Sequence, residues 1–143
     1  MMPADRLKVR EIDGRYQVYD GADVLGTFTS IVEMARFVRE RGARFWLDWG
    51  RTVINGNSLP HDFSPKFLGS DSVGRVMGET NGPSAGIWSW SCSTHDRRWR
   101  GHGGGRGRCN TKDLAVTELE VEFTRYIADT PDGWSPYAQS KGL

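Results

Sequence analysis

No run of apolar residues in these 143 positions extends beyond a few in a row, so the sequence offers nothing long enough to span a bilayer. The N-terminal MMPADRLKVREIDG lacks the apolar core of a signal peptide. Cysteine is scarce: two residues exclude a disulfide-dense scaffold and fit a reducing compartment. These absences lead to the expectation of a bacterial, cytoplasmic protein with no membrane association. Catalytic signatures are missing as well. His61, His95 and His102 have no companion serine or cysteine in a recognisable elbow, and no paired-carboxylate motif stands out. The stretch GHGGGRGR lacks the G-K-[ST] ending of a phosphate-binding Walker loop. The expectation is a non-enzymatic chain with no cofactor.

What is present is aromatic. Hydrophobic residues make up only 37% of the chain, but six Trp, six Phe and four Tyr provide large units of burial. The length suits one ordinary domain. Net charge is +1, yet residues 95–109 hold five arginines against Asp96; this local +4 leaves −3 for the rest. Much of that deficit lies near the C-terminal end, at Asp113, Glu118, Glu120, Glu122, Asp129 and Asp132. A basic patch on a near-neutral chain points to a localised contact rather than bulk polyanion binding.

The first forty residues carry clear local signals. LKVREI, RYQVYD and DVLGTF have strand composition, and Asp13-Gly14 is the dipeptide that a type I′ hairpin turn requires. Ser30 with Glu33 forms an S-x-x-E capping box, followed by an apolar stripe at Ile31, Met34, Ala35 and Val38; Gly42 stops the helix. Residues 43–72, with prolines at 60 and 65, read as an irregular connector. SVGRVM, GIWSWSCST and GRGRCN then read as strands, and Asn110 or Thr111 caps a helix with an apolar stripe at Ala115, Leu119, Phe123, Tyr126 and Ile127. The expected fold is α+β: two βββα units, each an antiparallel three-stranded sheet with one packed helix, around a shared aromatic core. The units span 1–42 and 73–128, with 129–143 as a tail onto which Trp134 and Tyr137 could dock. Glu118, Glu120 and Glu122 are expected to face solvent.

Two resemblances attach to these residues. VGRVMGETNGPSAGIWSWS…GRCNTKDLAVTELEVEF is similar to a V-G-R, W-x-W-S, T-x-x-x-A pattern in an uncharacterised family of small alphaproteobacterial proteins. It covers roughly the last half of the chain and implies no function. DGRYQVYDGADVLGTFTSIVEMARFV resembles the AP2-type DNA-binding domain at Leu25, Gly26, Thr27, Phe28 and Ala35. That family's basic, tryptophan-bearing first strand is shortened here, so the resemblance bears on the fold more than on DNA contacts.

The site candidates follow from strand alternation. Trp88, Trp90 and Cys92 share one face; Ser89, Ser91 and Ser93 share the other. A symmetric hairpin would set Cys92 opposite Cys109, with Gly105 and Gly107 making room for the indoles and Arg106 and Arg108 turned outward beside the serines. The tip would expose Arg97, Arg98, Trp99 and Arg100, where a tryptophan among arginines suits stacking on bases. In the first unit the Asp13-Gly14 register gathers Lys8, Arg10, Arg15, Gln17 and Tyr19 on one face. Cations on such faces suit phosphate contacts, so nucleic acid is the first expected partner. An acidic protein surface, met by an adaptor or inhibitor carried on a mobile element, is the alternative; ordinary solvated faces would have the same composition. Cys92, His95, His102 and Cys109 are four zinc-capable ligands, but their spacing lacks the two tight pairs of structural zinc motifs.

Overall fold

The computed structural model describes residues 5–69, 72–93 and 105–129. Asp13 and Gly14 take φ of 52° and 76°, which is the backbone twist that folds β1 (Arg6–Ile12) back onto β2 (Arg15–Asp20). A second tight turn at Gly21 returns the chain as β3 (Asp23–Phe28). Helix α1 (Ile31–Glu40) starts where the Ser30 side chain accepts from the Glu33 amide at 3.3 Å, and it buries Ile31, Met34, Ala35 and Val38.

The two-unit expectation fails from here on. The described residues form a mostly β molecule, with one sheet of four strands, one of five, and two helices. Residues 43–72, expected to be irregular, supply the additional strands: β4 (Arg44–Phe45), β5 (Asp48–Ile54) and β6 (Asn57–Lys66). Asn55 and Gly56, with φ of 52° and 80°, make a second type I′ turn between β5 and β6. The prolines that argued against a strand sit where the ladder makes no demand on them. Pro60 lies in a bulge, where the β6 partner jumps from Phe63 to Ser58 as β5 passes from Arg51 to Val53. The Pro65 carbonyl accepts from the Val73 amide, so its missing N–H lies on the β7 side, beyond the Asp62 and Phe63 pairs that β7 makes.

The second sheet runs β5-β6-β7-β8-β9, with β7 (Gly74–Gly78), β8 (Trp88–Cys92) and β9 (Arg106–Cys109) antiparallel throughout. Thr111 caps α2 (Lys112–Ala128), whose Ala115, Leu119, Phe123 and Ile127 are buried. This helix has two jobs. Its apolar stripe covers β7, β8 and β9, and a second side lies along β4.

The β4 contact explains how the first sheet ends. In an extended chain alternate amides point to opposite edges. Arg44 and Trp46 donate to Asp5 and Leu7 on the β1 side, whereas Phe45 and Leu47 point away. Their amides are met by α2: Phe45 donates to Thr124 Oγ1 at 2.9 Å and Leu47 to Glu120 Oε2 at 2.9 Å. Two residues along a strand advance about 6.6 Å and four along a helix about 6 Å, so an i, i+4 pair matches an i, i+2 pair of amides. Helix α2 thus takes the place of a fifth strand and closes the edge.

At this junction Phe45 stacks on Phe67 with ring centroids 4.7 Å apart, and Phe67 meets Phe123 edge-on at 5.1 Å. The helices pack together, joined by Arg36 donating to the Ala128 carbonyl and by the Arg39–Asp129 ion pair.

Candidate functional site

Two outward faces carry the candidate residues. On the first sheet, Lys8 pairs with Tyr19, Arg10 with Gln17 and Ile12 with Arg15, so Lys8, Arg10, Arg15, Gln17 and Tyr19 share one side as the turn register requires. Arg10 donates to Gln17 Oε1 at 2.9 Å, and its guanidinium lies 4.8 Å from the Tyr19 ring centroid. The structure adds Trp46, which sequence reasoning missed. Phe45 and Leu47 face the core, so the residue between them must face out; it is 43% exposed. Arg6 Cζ and Lys8 Nζ lie 4.5 and 4.7 Å from its ring centroid. ARFWLDWG reads as an aromatic, buried stretch, either a helical extension or a short strand; strand alternation in RFWL is the signal that turns Trp46 outward.

Beside Trp46 a concavity of about 480 Å³ opens between β1, the β4–β5 junction and the start of α2. Lys8, Trp49, Phe63, Lys112, Asp48 and Asp113 line it. Lys112 Nζ sits 3.7 Å from the Phe63 ring centroid.

Behind this face lies a buried carboxylate. Glu120, expected to face solvent, is fully buried and accepts from five donors. Arg6 gives two bonds at 2.8 Å, Arg44 Nε one at 3.0 Å, Trp49 Nε1 one at 3.0 Å and the Leu47 amide the fifth. A charge this deep persists only with its hydrogen-bonding capacity filled, and here it is. The network ties up Arg6 and Arg44, while Lys8, Arg10 and Arg15 have no acidic partner among the described residues.

On the second sheet the β8–β9 register sets Trp88 opposite Cys109 and Ser91 opposite Arg106. The symmetric hairpin is corrected by four residues, an even number, so every side chain keeps its expected face. Cys92 lies across from Gly105, whose carbonyl accepts from the Cys92 amide. The two cysteines are therefore four strand positions apart, about 13 Å along the ladder, out of reach of a disulfide or a shared tetrahedral metal. Both are free thiols, and burial pushes the Cys92 thiol up to about 12.

The glycine expectation holds at one position and changes at another. A Cβ on Gly107 would lie 2.7 Å from Trp90 Nε1, so that glycine does make room for an indole. Gly105 instead makes room for the Glu122 carboxylate, and the glycine facing Trp88 is Gly78.

Outward, Ser89, Ser91, Arg106, Arg108, Arg75 and Met77 line a trough of about 460 Å³. Arg75 is held by Asp62 through bonds of 2.5–3.1 Å. Asp62 is buried, which alone would raise its pKa, but the bonds from Arg75 and Thr52 outweigh burial and hold it below the usual carboxylate range. Arg108 reaches the Ser84 hydroxyl at 2.9 Å. Arg106 is exposed and has no partner among the described residues. Arg97, Arg98, Trp99, Arg100, His95 and His102, with the Trp134 and Tyr137 contacts, lie outside the described residues.

Comparisons with protein-family models, with curated proteins and with solved structures gave no match, so neither resemblance is tested by them. Among the described residues no helix is long and apolar enough to cross a membrane.

Proposed function

We propose that this chain is a non-enzymatic binding module that contacts single-stranded nucleic acid through the outer face of its first sheet. One observation carries the reading: on a single exposed face, Trp46 stands between Arg6 and Lys8 while Arg10 lies over Tyr19. Exposed rings give bases a stacking surface without sequence preference, and the neighbouring cations neutralise the phosphates between them. Lys8, Arg10 and Arg15 are available for that role because Glu120 engages Arg6 and Arg44 instead.

Fluorescence anisotropy of a labelled oligothymidylate, titrated at two salt concentrations, tests this. Binding should weaken with salt at a slope of about −0.7 per phosphate neutralised. The double variant K8A/R10A should flatten that slope. W46A should weaken binding by about 1–3 kcal/mol at every salt concentration. No binding at low salt sinks the proposal.

A further inference from the structure

The trough on the second sheet is not used by the proposed nucleic-acid face, and its chemistry is more specific than a solvated strand surface requires. Strand pairing fixes its layout. Arg75 and Arg106 both stand opposite Ser91, one on each flanking strand, and Met77 and Arg108 likewise flank Ser89. Neighbouring strands are about 4.8 Å apart, so Arg75 and Arg106 straddle Ser91 with backbones about 10 Å apart. Asp62 fixes the Arg75 side chain in place. The Ser91 hydroxyl and the Arg106 guanidinium line the trough and have no partner among the described residues.

Charge decides the kind of ligand. Asp62 offsets one of the three arginines, while the Ser84 hydroxyl that holds Arg108 offsets nothing, so the trough keeps an excess of two positive charges. A carboxylate or a phosphodiester would leave one of those unmatched. A phosphate monoester is close to a dianion at neutral pH and accepts several hydrogen bonds at once. The volume exceeds that of a bare phosphate and lies within the usual ligand-pocket range of about 300–1,000 Å³. Met77 supplies apolar surface for the group that the phosphate carries.

We propose that this trough is a binding site for a phosphate monoester, held by the uncompensated Arg106 and Arg108 beside the Ser91 hydroxyl, with its organic part against Met77. The site is independent of the first-sheet face.

Isothermal titration of the full chain with phenyl phosphate tests it, with methyl phenyl phosphate as the matching diester. The monoester should bind saturably and about tenfold or more tighter than the diester, the scale of one lost charge-assisted bond. Its affinity should fall as pH drops below about 6, where phosphate gains its second proton. R106A should weaken it about tenfold and S91A severalfold, with unchanged thermal midpoints because Arg106 is exposed. K8A/R10A should leave phenyl phosphate binding unchanged, which separates this site from the nucleic-acid face. Displacement by a 5′-phosphorylated dinucleotide would make a nucleic-acid end the source of the monoester; its absence would make it a free small ester. Both support the site. Equal binding of monoester and diester, no saturable binding of phenyl phosphate, or full affinity in R106A overturns it.

Discussion

Cys92 shows how a single side chain reports on the fold. Its thiol has no exposed surface; burial, reinforced by Glu122 and partly opposed by Arg125, pushes it up to about 12. In the unfolded chain a thiol titrates near 8.5, so above that pH the unfolded state releases a proton that the folded state keeps. Stability contributed by the neutral thiol is therefore complete below about pH 8.5 and declines as pH rises towards 12, by up to about 1.4 kcal/mol per pH unit. Urea midpoints at pH 8 and pH 10 should fall further for the wild type than for C92A. A thiol reagent at pH 8 should label Cys109 in the folded protein and reach Cys92 only after denaturation. Equal pH losses in the two proteins would refute the assignment. Alternation in WSWSC made the inward direction of Cys92 legible. Glu120 was illegible by the same logic, because what draws it inward is the amide edge of a strand far away in sequence.

At the scale of the element, the β4 edge separates local signals from tertiary ones. Asn55-Gly56 carries the same turn chemistry as Asp13-Gly14, so the β5–β6 hairpin was visible in principle; the two prolines hid it, though neither interrupts a ladder bond. Strand β4 is only Arg44–Phe45 and has no such signal. It is a strand because β1 receives alternate amides of the segment and α2 receives the others. Removing either α2 acceptor should therefore cost stability by a named mechanism. T124V leaves the buried Phe45 amide without its acceptor and should cost about 1–3 kcal/mol. E120Q keeps the shape but leaves the Arg6 and Arg44 guanidiniums short of a buried counter-charge, and should cost about 3–5 kcal/mol. Chemical denaturation of both variants measures this; an E120Q loss no larger than that of T124V would show that the buried charge matters less than the edge.

For the whole molecule, the sharing of α2 sets how the chain unfolds. The second sheet needs the stripe Ala115, Leu119, Phe123 and Ile127 over its inner face, where even Gly74 is kept bare because a Cβ would lie 2.5 Å from the Ser91 carbonyl and 2.7 Å from Leu119. The first sheet needs Glu120 and Thr124 from the same helix to close β4, and Phe123 to complete the Phe45–Phe67 cluster. Neither sheet can finish its core alone, and the helix expected to serve only the second unit serves both. Loss of α2 should then dissolve both sheets in one step. Urea unfolding followed by tryptophan fluorescence and by far-UV circular dichroism should give coincident single transitions, the mark of two-state behaviour. A chain ending at Asn110 retains β1 to β9, yet it should lack the cooperative transition even in the β1–β2–β3 hairpins. If those hairpins kept native-like amide protection in the shortened chain, the first sheet would stand without α2 and the shared-helix account would fail.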